Sequence, residues 1–103
     1  MTGPLTDHAC AELFKALADE TRLKILHGLF EQPRCVTDLM QALALPQSHV
    51  SHHLKVLKTA GLVQSRRDGH KICYALHPNV KATMSQQAQD TLQLGCCEIT
   101  FRA

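Results

Sequence analysis

The sequence has few aromatic residues and no long hydrophobic run. It contains three Phe, one Tyr and no Trp among 103 residues, which argues against proteins that stack single-stranded bases on aromatic rings. No apolar stretch reaches the roughly 18 residues of a membrane-spanning helix. Residues 1–8 lack the basic start and apolar core of a signal peptide. We therefore expect a cytoplasmic protein without a membrane partner, folded as a single domain over residues 1–103.

The sequence also lacks the signatures of a secreted disulfide module and of an enzyme. Its five cysteines are an odd number, and their spacing is not that of a stapled extracellular domain. It has no Gly-rich phosphate loop, and five of its seven histidines cluster in residues 46–77, where only one of the five cysteines lies, whereas a Cys–His hydrolase needs a nucleophile held by a base. We expect reduced thiols, no catalytic activity and no small-molecule substrate.

Positive charge is concentrated in residues 46–77. This stretch carries five Lys and Arg side chains against one acid, and five of the seven histidines. Local positive charge suits a polyanion such as DNA, although a solvated basic face has the same composition. The spacing of the residues has to distinguish the two.

Apolar periodicity predicts three helices before this basic region. The first covers residues 8–18, and the second follows Thr21 as a plausible cap and ends before Pro33. A short third helix covers Val36–Leu43, and Leu45-Pro46 ends it. We expect Cys10, on the first helix, to be structural or incidental.

The segment from about 47 to 60, here called the reading helix, has two distinct faces. At 100° per residue, Val50, Leu54 and Leu57 form one apolar stripe, and small polar and basic side chains occupy the opposite side. Such an outer face can donate and accept hydrogen bonds at base edges while a lysine meets phosphate. The alternative is an ordinary amphipathic surface helix. His53, at the edge of the stripe, is interpreted as a packed core histidine.

A basic hairpin, the wing, follows over about 62–76. Asp68-Gly69 is a strong signal for a short turn between two strands, and we expect Cys73 to be a small hydrophobe in the second strand. A basic two-stranded tip after a reading helix predicts a mainly α, winged helix-turn-helix fold with phosphate or minor-groove contacts at the wing. A last helix over about 79–95, with a loose apolar face and a cysteine tail, is expected to form a dimer contact. That face is Val80, Met84, Gln87, Thr91 and Leu94.

Three consecutive motifs resemble the ArsR/SmtB-type bacterial repressors. Residues 14–26 (FKALADETRLKIL) resemble the opening signature of that family, residues 47–63 (QSHVSHHLKVLKTAGLV) its reading helix, and residues 66–76 (RRDGHKICYAL) its wing. The resemblance implies a homodimeric winged-helix repressor, paired through its first and last helices, that binds double-stranded operator DNA. It implies base contacts from Gln47, Ser48, Ser51 and His52, and backbone contacts from Arg67 and Lys71. Together with the periodicity, it gives the expected DNA-binding set Gln47, Ser48, His49, Ser51, His52, Lys55, Arg66, Arg67, His70 and Lys71.

Two metal sites of that family are incomplete in this sequence. The last helix would contain Asp90 but no His or Glu, so it lacks one type of zinc site. Of a Cys-x-Cys-x-x-Cys cluster at the third helix only Cys35 is present, with Thr37 and Met40 at the other two positions. The family's members differ mainly in what releases them from DNA, so the remaining cysteines decide the inducer.

Cys35 and the adjacent pair Cys96-Cys97 are the remaining candidate ligands. Trivalent arsenic or antimony takes three thiolates in a pyramid, and sulfur ligands select soft ions, so these three residues predict As(III) or Sb(III) as the inducer. Cys96 and Cys97 supply two of the thiolates, and Cys35 is expected to supply the third across the dimer. The alternative uses no metal, and Cys35 then bridges to Cys96 or Cys97 through a disulfide or polysulfide in a persulfide or redox sensor. Another soft ion such as Cd or Pb, and a winged-helix interaction module that senses nothing, stay open.

Overall fold

A computed structural model describes residues 6–84 and 89–102 of the chain. Within these residues it has four helices and two antiparallel sheets of three strands each. The helices are α1 (Asp7–Leu17), α2 (Glu20–Gly28), α3 (Val36–Leu43) and α4 (Gln47–Thr59). The strands are β1 (Arg34–Cys35), β2 (Val63–Asp68), β3 (Lys71–Leu76), β4 (Lys81–Met84), β5 (Asp90–Gln93) and β6 (Glu98–Phe101).

Side-chain caps fix where the first two helices begin. The hydroxyl of Thr6 accepts a hydrogen bond from the Ala9 N–H at 3.1 Å, and the carboxylate of Asp19 accepts one from the Arg22 N–H at 3.1 Å. Each bond satisfies a first-turn N–H that has no partner within the helix. The predicted cap Thr21 is wrong: Asp19 has the extended backbone of a cap, and Thr21 lies inside α2.

Helices α3 and α4 form the helix-turn-helix that the sequence predicts. α3 ends at Leu43, the left-handed backbone of its C-cap Ala44 (φ 54°) turns the chain, and Pro46 stands at the N-cap of α4. The apolar stripe of α4 is buried, with Val50, Leu54 and Leu57 each 0% exposed. It packs in one core with α1, α2, α3 and the first residues after α4.

The wing forms over the predicted residues. β2 and β3 pair antiparallel from Val63↔Leu76 to Asp68↔Lys71, and Gly69 in the turn has φ +65°, a conformation that costs other residues a steric penalty. β1 joins the other edge of β3, so the sheet order is β1-β3-β2. The wing is therefore attached to the start of α3 as well as to the end of α4.

The predicted last helix over 79–95 is wrong in the residues that the structure describes. β4, β5 and β6 form a second antiparallel sheet there, while Gln87 lies outside the described residues. Leu92 in β5 and Leu94 directly after it are buried, whereas Gln93 between them is exposed. This alternation has the period of extended chain and not of a helix. The described residues of this segment, 79–84 and 89–95, therefore contain no helix through which two copies could pair.

The second sheet is fixed to α2. The His27 ring stacks on Phe101 with centroids 4.3 Å apart, and its Nε2 lies 2.9 Å from a carboxylate oxygen of Asp90. Among the described residues, no helix is long and apolar enough to cross a membrane.

Candidate functional site

The outer face of α4 is exposed to solvent. Its polar side chains point away from the buried stripe because α4 keeps regular helical geometry for 13 residues. All six of the reading-helix residues expected to contact DNA are exposed: Gln47, Ser48, His49, Ser51, His52 and Lys55. A helix that exposes such groups along one side can enter the major groove of B-DNA.

The basic wing residues are exposed beside this face. Arg66 and Arg67 lie near the end of β2, and His70 and Lys71 lie at the turn and the start of β3; all four are exposed. The Nζ of Lys58, near the end of α4, donates to the hydroxyl of Ser65 in β2 at 2.8 Å. This bond ties the wing to the reading helix, so the two basic surfaces are held on one side of the domain.

A groove of about 280 Å³ separates the wing from the helix-turn-helix. The groove is lined by Gln47 from the first turn of α4, by His70 and Lys71 from the wing, and by Cys35 at the start of α3, together with apolar side chains. Three of the expected DNA-contacting residues therefore converge on one depression.

The inner side of α4 is held by a polar network that the sequence did not reveal. The Arg22 guanidinium donates from Nη1 to Nδ1 of His53 at 3.1 Å and from Nε to the carbonyl of Ala16 at 2.6 Å. A guanidinium has no acceptor, so Nδ1 of His53 must be unprotonated. Burial lowers the pKa of His53, against the opposing effect of the Asp19 carboxylate. His53 is thus a packed histidine, as expected, and Arg22 is the positioning residue that periodicity missed.

The cysteines pair differently from the sequence-based expectation. Cys35 is bonded to Cys73 and Cys10 to Cys96, while Cys97 is free and half-buried. Burial raises the pKa of the Cys97 thiol. The expectations of reduced thiols and of a purely hydrophobic Cys73 are therefore wrong for this structure, and of the two alternatives for Cys10 the disulfide is the structural one.

The expected thiol trio does not assemble within one chain. Cys35 lies in the wing sheet, whereas Cys96 lies after β5 and is bonded to α1. A Cys35 bridge to Cys96 or Cys97 is likewise not formed. Over residues 6–84 and 89–102, no group of three or more His, Cys, Asp or Glu side chains is arranged to hold a metal ion. No sequence signal marked Cys73 as the partner of Cys35, because that pairing depends on the register of β1 against β3.

Known proteins resemble this chain in sequence and in fold. Residues 19–65 match the family described as "Bacterial regulatory protein, arsR family". The "Transcriptional repressor SmtB homolog" of Synechocystis sp. is 40% identical over 81% of this chain and 63% of its own length. The regulator NmtR of Mycobacterium tuberculosis is 40% identical over 84% of this chain and 75% of its own. The "Arsenical resistance operon repressor" of Escherichia coli is 44% identical over 69% and 62%.

Solved structures agree with the winged helix-turn-helix fold. HlyU from Vibrio cholerae has a TM-score of 0.65 and 37% identity, covering 68% of this chain and 76% of HlyU. The homodimeric winged helix-turn-helix domain Mb0332 from Mycobacterium bovis has a TM-score of 0.64 and 31% identity, covering 73% and 75%.

The extent of these matches decides what they establish. The chain spans less than two thirds of the Synechocystis and Escherichia coli relatives but three quarters of NmtR, at 40% identity. The relatives are transcriptional regulators and not enzymes. From the match to the family's sequence model, the identity to NmtR and the shared fold, we conclude that the chain belongs to the bacterial regulatory proteins of the arsR family.

Proposed function

We propose that this protein is a transcriptional repressor that binds double-stranded operator DNA as a homodimer. The observation that carries the proposal is the exposed outer face of α4 beside an exposed basic wing. The names of the regulators to which the chain is similar support repression. The homodimeric solved domain supports pairing of two copies, and in a dimer each reading helix would meet one half of a palindrome.

Within this proposal, the exposed residues divide by the part of DNA they meet. Four residues contact base edges, because they face outward over the first two turns of α4. They are Gln47, Ser48, Ser51 and His52. The remaining members of the interface hold the phosphate backbone and carry no sequence information. They are His49, Lys55, Arg66, Arg67, His70 and Lys71.

Binding to the duplex upstream of the protein's own coding sequence tests the proposal. We expect specific binding by fluorescence anisotropy, with affinity falling as salt rises because phosphate contacts release counterions. Ser51→Ala with His52→Ala should weaken specific binding by about 1–3 kcal/mol per lost base contact. Lys71→Ala should weaken binding to all DNA sequences alike and make the affinity less dependent on salt. Lys81 is an exposed lysine on β4, and Lys81→Ala is the matched control, which should change neither the affinity for DNA nor its salt dependence.

For release from DNA we propose thiol chemistry, with As(III) or Sb(III) as the inducer. The name of the Escherichia coli relative supports a metalloid. Three thiolates require that both disulfides are first reduced. They also require two copies of the chain, since one copy keeps Cys35 apart from Cys96 and Cys97. Cys10, already bonded to Cys96, is the nearer third thiol.

A second candidate is release without a metal, by a persulfide or oxidant that joins Cys35 to Cys96 or Cys97 in place of the present pairs. The specific observation in its favour is that four of the five cysteines are already joined in two pairs. Thiols that lie within bonding distance exchange with small disulfides or polysulfides through mixed intermediates.

Anaerobic release assays on the reduced protein separate the two inducers. Release by stoichiometric arsenite, reversed by excess dithiol and abolished by Cys97→Ser, supports the metalloid. Release by a persulfide donor alone, with added sulfur found by mass between two cysteines, supports the redox candidate. A Cys97→Ser protein that arsenite releases as fully as the wild type would refute the proposed thiolate set.

A further inference from the structure

Cys35 and Cys73 stand opposite each other in the wing sheet. They are register partners of β1 and β3, with Cα atoms 3.7 Å apart, and their sulfurs are bonded. The sheet holds this position from two directions, since Arg34 pairs with Tyr74 next to it in β1 and β3, and Arg66 of β2 pairs with Cys73 across the other edge of β3. The two thiols would therefore stay neighbours after the bond is opened, which a reversible bond requires.

The pair is reachable from solvent and lies at the proposed DNA face. Both residues are half-buried. Cys35 lines the groove that also contains Gln47, His70 and Lys71. Cys73 lines a second, smaller groove with Arg66, its cross-strand partner on the opposite side.

The bond also joins the two parts that must meet DNA together. Cys35 is the N-cap residue of α3, the helix that packs against α4. Cys73 lies in the middle of β3, the central strand of the wing sheet. A covalent link at this point fixes the wing relative to the helix-turn-helix more tightly than the two-residue strand β1 can alone.

We infer that Cys35 and Cys73 form a redox-active dithiol–disulfide pair that controls how well the wing and the reading helix are pre-arranged for DNA. This inference rests on the proposed DNA-binding function and adds its regulation. The disulfide form binds operator more tightly, because it has less conformational freedom to lose on binding.

The reaction needs only a small thiol and its disulfide. A thiolate attacks Sγ of Cys35 or Cys73, the protein S–S bond breaks, and a mixed disulfide and one cysteine thiolate form. A second small thiol attacks the mixed disulfide, and the small disulfide leaves. The two protons of the small thiols end on the two cysteine sulfurs, so the protein is reduced by two electrons and the small thiols are oxidised. Oxidation by a small disulfide is the reverse.

The test measures operator affinity and disulfide linkage in buffers of reduced and oxidised glutathione. The full-length protein is equilibrated at each ratio, its linkages are mapped by peptide mass after acid quenching, and its affinity is measured by anisotropy. We expect the opening of Cys35–Cys73 to lower affinity at least about fivefold, the lower range of known couplings between sites. Cys10→Ser with Cys96→Ser, which removes the other disulfide, should keep this dependence.

The variant Cys35→Ser with Cys73→Ser gives the decisive comparison. We expect its affinity to equal that of the reduced wild type at every glutathione ratio. The inference is overturned if this variant keeps the redox dependence, or if wild-type affinity stays constant while mass mapping shows that Cys35–Cys73 opens. A protein that binds its upstream duplex in neither state, even at low salt, overturns the proposed function itself. Binding that is equal in both states overturns only the redox control.

Discussion

Replacing Arg22 with alanine should destabilise the whole domain, because one side chain joins α1, α2 and α4. The side chain is only 13% exposed. Its Nε donates to the carbonyl of Ala16, one of the last carbonyls of α1, and its Nη1 donates to His53 on α4. Carbonyls at a helix end lack partners within the helix, so Arg22 supplies the donor that α1 cannot.

The expected loss follows from the groups that are left without partners. Ala16 is 3% exposed, and a buried carbonyl without its donor costs about 1–3 kcal/mol, with about 1 kcal/mol more for the bond to His53. The ion pair with Asp19, at 4.0 Å and partly exposed, adds little. We therefore expect a loss of about 3 kcal/mol, which corresponds to a Tm lower by roughly 10–20 °C for a domain of this size.

Urea and thermal unfolding followed by circular dichroism measure this loss. Lys24→Ala, two residues further along α2, removes an exposed pair with Glu20 at 3.0 Å and should cost less than about 1 kcal/mol. Arg22→Lys should recover only part of the stability, because an ammonium cannot reproduce the planar fork. An Arg22→Ala protein as stable as Lys24→Ala would refute the role assigned to this network.

Three further predictions concern the core, the protonation state and the wing turn. Leu54→Ala, at a 0% exposed position of α4, should lower the free energy of unfolding measured with urea by about 3–5 kcal/mol. Ile72→Ala, at a 43% exposed position, should lower it by about 1 kcal/mol or less. Equal losses in the two variants would contradict the assigned core. Burial lowers the pKa of His53 from 6.5, and a backbone N–H lowers that of Asp19 from 3.8. Both groups take up protons more readily in the unfolded chain. The contribution of neutral His53 is therefore complete above about pH 6.5 and that of ionised Asp19 above its unfolded pKa of 3.8, and each is lost as pH falls below that value. Unfolding curves measured from pH 8 down to about pH 3 that do not shift would refute this. Gly69→Ala, at φ +65°, should cost about 1–2 kcal/mol in the same unfolding assay, and a neutral substitution would show that the turn is not left-handed.

The parts of the fold with a strong local pattern were predictable from the sequence. The stripe of Val50, Leu54 and Leu57 repeats at helical spacing and is buried along its whole length. Asp68-Gly69 marks the wing turn because glycine adopts the left-handed conformation there without penalty. Residue order along the chain therefore sufficed to predict α4, the wing and the exposed face between them.

The parts that depend on distant contacts were not predictable. The expected last helix rested on five weakly apolar positions, and the burial of Leu92 in a strand depends on the core that the four helices build. The Cys10–Cys96 bond spans 86 residues, so no local spacing could pair these cysteines. Periodicity likewise does not show that Arg22 reaches both Ala16 and His53.

Mapping the protein surface that contacts DNA tests the central claim most directly. Backbone amide shifts of the isotopically labelled full-length protein, recorded as the duplex upstream of its own coding sequence is added, report which residues meet the ligand. We predict that the largest changes fall on the outer face of α4 from Gln47 to Lys55 and on the wing from Arg66 to Lys71, while β5 changes little. Changes concentrated on β4–β6 or α1, with α4 and the wing unaffected, would contradict the assignment of α4 as the helix that reads DNA.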